Sequence, residues 1–465
     1  MKIHFNGAAQ TVTGSQLLLE VNDSRLLLEC GLFQGKRNDS IEKNREFIFD
    51  PKKIDAVILS HAHIDHSGNL PNLVGNGYRG PIYATTPTAR LSEIMLLDSG
   101  HIQEETASFF NKKRSKDGLP AIDPIYTRED AAGVAQYFHP VHYGEEFEPV
   151  PGVTALLVDA GHILGSAAIV LDITEKGRKP YRLWFSGDIG RLNLPLMLDP
   201  VLPENADILI MECTYGDKEH RHPQEAFAEF RQTVVRTIQR GGKVIIPAFS
   251  VGRTQELVFY LNQMLADGDI PAIPVYVDSP LAVSATDLFR QFSYLFDEET
   301  QAFIREEKHP ALTFPSLTYT RSVEESKQIN EKKGPMVIIS ASGMAESGRI
   351  LHHLRHNIED ERNTIMIVSW QAPDTRGRQL AEQKKEIMIF GEKFIRRAEV
   401  ATIGGLSAHA GQDFLLEYGQ ASAATLKQIF LVHGEQQAAG ALLEKLAQKT
   451  SIKIDYPELY RVAEV

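Results

Sequence analysis

Cysteine is nearly absent, with Cys30 and Cys213 the only two in 465 residues. Two thiols cannot build a disulfide framework, so the fold does not depend on an oxidising compartment, and both read as buried thiols. No apolar run approaches the length of a membrane span. Residues 1–6 alternate like a strand, where a secretory leader would show a charged start followed by an apolar stretch. These absences set the expectation of a cytoplasmic protein with no membrane association. Basic charge is also short, with 49 Lys and Arg against 61 Asp and Glu and a formal net charge of -12. Indiscriminate coating of polyanions needs Lys and Arg to neutralise phosphates, so any nucleic-acid site must be local. Low-complexity linkers and repeat arrays are missing too. The 43% hydrophobic and 24% charged residues are those of an ordinary globular chain, long enough for two or three domains.

What the chain does have is a concentrated set of metal-ligand side chains at Ser60-His61-Ala62-His63-Ile64-Asp65-His66-Ser67-Gly68. An apolar run from Ile54 to Leu59 precedes it and reads as a buried strand, and a helix-like segment follows from Ser67 to Val74. Four ligand-type side chains in six positions cannot reach one ion from a regular element. A tight loop at a strand end splays them in two directions, His61 and His63 toward one metal, Asp65 and His66 toward another. Imidazole with carboxylate suits zinc and tolerates manganese or iron.

Other strand ends carry the same chemistry. An antiparallel opening, Lys2 to Phe5, Ser15 to Val21 and Arg25 to Glu29, ends with Glu29 close in sequence to the loop. Glu29 reads equally as a carboxylate orienting a ligand histidine and as a surface acid. Val153 to Asp159 leads into Gly161-His162-Ile163-Leu164-Gly165, where the glycines permit a sharp turn and His162 is placed to complete the first metal's shell. Leu183 to Ser186 ends in Gly187-Asp188, whose carboxylate suits a bridge between two cations. A helical pattern from Pro87 to Phe110 is followed by Lys112-Lys113-Arg114-Ser115-Lys116, either a phosphate-binding cluster or a solvated charge run.

From Ile208 the rhythm becomes strand, loop, helix, repeated at Val244 to Ile246, Val275 to Val277, Met336 to Ile339 and Ile365 to Val368. It predicts a parallel, doubly wound sheet with ligands beyond its carboxyl ends. The loops there offer Ser250, Ser279, Ser340, Ser342 and Gly343 as an anion cradle, with Arg253, Arg349, Arg376 and Arg378 nearby to grip phosphates. His352, His353 and His356 on the following helix read as an exposed face. From Lys385 the pattern predicts a return to antiparallel strands, Ile387 to Ile389 and Ala398 to Ile403.

The loop from His61 to His66, with His162 and Asp188 in order, resembles the metal signature of the metallo-β-lactamase superfamily. Glu212, then Ser407-Ala408-His409, then Val432-His433-Gly434-Glu435 resemble the added motifs of its β-CASP branch of RNA-processing nucleases, which includes bacterial ribonucleases similar to the cleavage and polyadenylation endonuclease. The resemblance implies an α/β fold, an αββα metallo-β-lactamase sandwich formed by residues 1–207 and 387–465, with a doubly wound α/β β-CASP domain inserted over 208–386. It further implies that His61, His63 and His162 bind one zinc ion, that Asp65, His66 and His433 bind a second, and that Asp188 bridges them. Manganese is the alternative metal. Asp65, Glu212 and His409 become the catalytic set, His409 donating the proton that leaves a 3′-hydroxyl and a 5′-phosphate. A histidine at the position of His433 accompanies RNA substrates in this family, which implies single-stranded RNA. Where the family usually has aspartate this chain has Glu29. Two other readings share the scaffold: a small-molecule thioester or lactam hydrolase, and a non-catalytic platform for RNA. A homodimer is left open.

Overall fold

The computed structural model describes residues 1–35, 37–307, 310–372 and 374–465, and they form two compact units. One unit comprises Met1–Leu192, Asp199–Glu219 and His409–Val465, and the other Asn193–Leu198 and His220–Ala408.

The first unit holds two seven-stranded mixed sheets. One runs in the order Val462–Glu464, Lys2–Phe5, Leu17–Val21, Ser24–Leu28, Ala56–Ile58, Ile82–Thr85, Phe138–Val141. The other runs Lys453–Asp455, Gln428–Val432, Ile208–Glu212, Tyr181–Phe185, Ala167–Ile173, Val153–Asp159, Glu146–Val150. The expected antiparallel opening is present, closed by a hairpin at Asn22-Asp23 with φ of 49° and 63°, the left-handed pair that a type I′ turn requires.

Side chains alternate across each strand, and that period of two builds the layers. Leu17, Leu19, Leu26, Leu28 and Ile58 of the first sheet meet Leu157, Ile169, Leu171, Phe185, Ile210 and Phe430 of the second in one buried core. Their neighbours Leu18, Leu27 and Val57 point the other way, onto Leu70, Leu73 and Leu96 from the helices Leu70–Gly75 and Thr86–Lys116. Val170, Trp184, Leu209, Met211 and Leu431 likewise pack on Phe414, Leu415, Tyr418, Leu442 and Leu446 from Gln412–Gln420 and Gln436–Lys449. Helix, sheet, sheet, helix is the αββα sandwich. Each fully buried leucine stabilises it by about 1.5–3 kcal/mol.

The second unit is built on a six-stranded parallel sheet, ordered Leu317–Thr320, Val275–Asp278, Met336–Ser340, Lys243–Pro247, Thr364–Ile367, Glu399–Thr402. Its inner strands are continuous apolar runs because helices cover both faces.

Three local expectations are corrected. Ile208–Glu212 does not open the doubly wound sheet but lies in the first unit's second sheet, parallel to Tyr181–Phe185 and Gln428–Val432, because a fully buried apolar strand reads alike in either sheet. Glu399–Thr402 is not part of an antiparallel return, since it pairs in parallel with Thr364–Ile367 as the sheet's edge. A half-exposed edge strand alternates like an antiparallel one, so periodicity cannot separate them. Only the hairpin Glu386–Ile389 with Glu392–Ile395 is antiparallel there. The helix expected to end at Phe110 continues to Lys116 and absorbs the basic cluster. Lysine and arginine are good helix formers and favour the negative end of the helix dipole. Among the described residues no helix is long and apolar enough to cross a membrane.

Candidate metal centre

The centre is assembled from strand ends of the first unit. The strand Ala56–Ile58 runs out into a loop and the short helix Ile64–Ser67, and the backbone leaving Ser24–Leu28 packs directly on that loop. Cys30 N donates to His66 O at 2.8 Å and Leu32 N to Ile64 O at 2.9 Å. Gly31 is needed for this approach, because a Cβ there would lie 1.6 Å from Asp65 O. Gly161 and Gly165, with φ of 65° and 84°, form the turn that carries His162. Thr85 and Thr88 hydroxyls donate to Gly165 O at 2.6 and 2.8 Å and tie that turn to the start of the long helix. Glu29 and His433 adopt φ of 66° and 49°, a left-handed backbone that side-chain-bearing residues keep only when surroundings enforce it, often at functional sites.

The ligand-type atoms converge. His63 Nδ1 lies 3.1 Å from His61 Nε2 and 3.2 Å from His162 Nε2. Asp188 Oδ2 faces this trio, 3.4 Å from His61 Nε2 and 3.5 Å from His162 Nε2. Its other oxygen faces a second group, 3.3 Å from His66 Nε2 and 3.4 Å from His433 Nδ1. His66 and His433 Nε2 atoms stand 3.3 Å apart, and Asp65 Oδ2 is 3.6 Å from His433 Nε2. His61, His66, His162, Asp188 and His433 are all buried.

This arrangement makes sense around cations. Facing ring nitrogens present lone pairs to each other, which is repulsive unless something positive lies between them. A tetrahedral zinc site with arms of 2.0–2.1 Å has ligand-to-ligand edges of about 3.3–3.4 Å, close to the separations in the first group. Asp188 Oδ1 and His162 Nδ1 are buried without a hydrogen-bond partner among the described residues. The His and Asp clusters therefore fit a divalent metal. Burial drives the His61 and His162 rings far toward the neutral, metal-ready form and lowers His63 to about 4. Burial opposes charge on Asp188 and Asp65 as well, but neighbouring histidines outweigh it, holding Asp188 well below the carboxylate range and Asp65 at about 2.

Glu29 is fully buried and is not a surface acid. Its Oε2 sits 2.5 Å from His66 Nδ1, and its Oε1 accepts from Ser60 N at 2.5 Å. A carboxylate only accepts, so Nδ1 carries the proton and Nε2 is left to face the cluster. Against the burial penalty, Asp188 and Glu29 raise the His66 pKa.

A further pair meets the same Asp188. His409 Nδ1 lies 3.0 and 3.2 Å from the two oxygens of buried Glu212, and His409 Nε2 lies 3.9 Å from Asp188 Oδ2. Ile189 N donates to Glu212 Oε1 at 2.6 Å, and Gly190 bridges to His409 through the backbone. Burial works against a charged ring, but Glu212 and Asp188 raise His409 to about 9. The arrangement can hold a proton at Nε2 beside the cluster.

In the second unit the suggested phosphate-contacting residues have partners within the unit. Ser250 Oγ and Ser279 Oγ are 3.1 Å apart, and Ser279 caps the helix Pro280–Gln291. Ser340 Oγ donates to Asp278 O, and Ser342 Oγ accepts from Glu346 N at 3.2 Å. Arg253 is buried against Glu256, and Arg376 donates to the carbonyls of Met388 and Ala345. Arg349 Nη1 donates to Asp278 Oδ1 at 2.7 Å. The expectation of an exposed histidine face is corrected at His353, which is fully buried with Nε2 2.7 Å from Asp278 Oδ2 and Nδ1 3.0 Å from Asn330 Oδ1. His352 and His356 are exposed, as expected. Thr214 was also missed: its Oγ1 is 3.1 Å from His433 Nδ1 and 2.9 Å from His433 O. Following Glu212 at a distance of two residues, it gave no signal beyond its neighbour.

Comparison with known proteins agrees with this architecture. Family models match for the metallo-beta-lactamase superfamily domain over residues 18–177, the Beta-Casp domain over 254–380, and the Zn-dependent metallo-hydrolase RNA specificity domain over 395–457. A ribonuclease of Thermus thermophilus is 38% identical over 455 residues, covering 97% of this chain and 98% of its own. The transcription termination factor FttA of Methanocaldococcus jannaschii is 33% identical over 448 residues, covering 94% of this chain and 67% of its own. A crystal structure of a protein of unknown function from Enterococcus faecalis shares the fold, with a TM-score of 0.55 at 14% identity, covering 100% of this chain and 99% of that one.

Proposed function

The chain belongs to the β-CASP branch of the metallo-β-lactamase superfamily, and from that premise we propose that it is a zinc-dependent ribonuclease hydrolysing phosphodiester bonds of single-stranded RNA. His61, His63 and His162 would hold one zinc ion and Asp65, His66 and His433 a second, with Asp188 between them; manganese is the competing metal. Bound there, such ions supply a water acidic enough to attack at neutral pH and neutralise charge gathering on the phosphate.

The chain's own residues do the rest. Glu212 keeps His409 Nδ1 engaged, so the proton to be donated sits on Nε2. His409 is placed to protonate the ribose 3′ oxygen as its bond to phosphorus breaks, while the attacking water gives up one proton to solvent, from which His409 regains its own, leaving a 3′-hydroxyl and a 5′-phosphate. Glu29 fixes the His66 tautomer, and Thr214, whose hydroxyl proton goes to His433 O, is left to accept from His433 Nδ1. RNA as substrate is supported by the ribonuclease relative and the RNA specificity domain. The buried free thiols Cys30 and Cys213 support a reducing, cytoplasmic setting.

The observation that carries this reading is the division of Asp188, one oxygen toward each cluster, with the His409–Glu212 pair on the same carboxylate. Zinc-loaded protein is expected to cleave end-labelled RNA in preference to single-stranded DNA and to leave a thioester intact. His409→Ala should lower turnover about 100-fold or more with metal content retained. Thioester hydrolysis without RNA cleavage would replace the nuclease with a small-molecule hydrolase, and unchanged turnover in His409→Ala would remove that residue from proton donation.

A further inference from the structure

In the second unit the neighbouring parallel strands Met336–Ser340, Lys243–Pro247 and Thr364–Ile367 bring their carboxyl ends to one edge. These strands are buried almost throughout, yet just past two of them a large ring is held in water. Phe249 is 44% exposed and Trp370 is 51% exposed. Aromatic side chains usually bury their area, so neither ring owes its place to the core.

The loops that carry these rings are braced. Thr254 Oγ1 donates to Phe249 O at 2.7 Å, fixing the turn into the helix Arg253–Ala266. The Phe249 ring lies against Gly343, where an added Cβ would come within 3.1–3.2 Å of its carbons. Gln371, next to Trp370, donates from Nε2 to Gly343 O at 3.1 Å and to Ser369 O at 3.1 Å. One glycine thus links both aromatic loops, by packing on one side and by an amide on the other.

Helix dipoles at this edge suit a polyanion. The helices Arg253–Ala266 and Pro280–Gln291 begin here, with the positive ends of their dipoles outward. Arg253, nine-tenths buried in the first turn, pairs with Glu256 through Nη1 and keeps Nε without an acceptor among the described residues.

We infer that Phe249 and Trp370 form a base-stacking platform for single-stranded RNA. The inference rests on the ribonuclease reading and extends it, assigning the bases a seat separate from the metal-ligand residues. Every base has a π face, so this grip tolerates sequence.

The chain offers its own probe, because Trp184 and Trp370 are its only tryptophans and Trp184 is 2% exposed. Iodide should therefore quench Trp370 selectively. In the zinc-loaded protein, a phosphorothioate-linked oligoribonucleotide of about ten nucleotides, long enough for such a platform, should shield Trp370 from iodide. Phe249→Ala and Trp370→Ala should each raise the KM for RNA roughly tenfold, the loss of about one stacked base. Phe249→Tyr and Trp370→Phe keep a π face and should retain the wild-type KM. If the wild type cleaves RNA but both alanine variants keep its KM, the platform is wrong. Trp370 still open to iodide at saturating RNA would also overturn it, leaving these rings to a protein partner. A wild type that cleaves no RNA would instead overturn the reading on which the platform rests.

Discussion

At the scale of single residues, Glu29 is the most informative side chain. It stands where the resemblance implies aspartate, its backbone is left-handed, and its carboxylate reaches both Ser60 N and His66 Nδ1. Groups that orient a metal histidine typically contribute 10–100-fold to metal affinity. Glu29→Gln should weaken metal binding by about that factor, measured by competition with a chromogenic chelator. Affinity equal to wild type would reduce Glu29 to a buried space-filler. Thr214→Val makes the matching test at His433, since valine keeps the shape and removes the hydroxyl that meets Nδ1. The loop from His61 to His66 was legible because its ligand-type side chains are adjacent in sequence. His433 lies 367 residues from His66, and no local pattern could join them, so only the family resemblance pointed there. Thr214 and His353 were not legible at all, because a threonine beside a motif and one histidine among neighbours are identified only by what they touch.

At the scale of elements, the parallel sheet of the second unit is held by a buried charge cluster that hydropathy cannot reveal. Asp278, at the end of Val275–Asp278, accepts from Arg349, Thr320, Ser326 and His353. Burial opposes its ionisation, but these four partners outweigh the penalty and hold its pKa well below the usual carboxylate range. Because the folded pKa is the lower one, the stabilisation is present above the unfolded value of about 3.9 and is lost as pH falls below it. Asp278→Asn leaves Arg349 and His353 without their anion and should cost about 3–5 kcal/mol at pH 7. Thermal unfolding of variant and wild type should show the gap at pH 7 narrowing toward pH 3; a gap independent of pH would assign the loss to packing. The strand order of this sheet was foreseeable in kind, since continuous apolar runs between helices imply parallel pairing. Its edge at Glu399–Thr402 was not, because an edge strand is half wet in either direction.

At the scale of the whole molecule, an acidic chain must grip a polyanion locally. The net charge of -12 repels RNA at long range, while Lys112, Lys113 and Lys116 stand exposed on the last turns of the helix Thr86–Lys116. If they touch phosphate, replacing all three by alanine should flatten the dependence of log affinity on log salt by about 0.7 for each phosphate no longer neutralised. An identical slope would return them to the solvated surface. Whether dispersed strand ends gather metal ions to hydrolyse RNA is decided by following end-labelled RNA with one preparation before chelation, after chelation and after zinc is restored. The expected result is cleavage to 5′-phosphate ends that disappears with the metal and returns with it. Cleavage indifferent to chelation, or none with zinc fully bound, would contradict it.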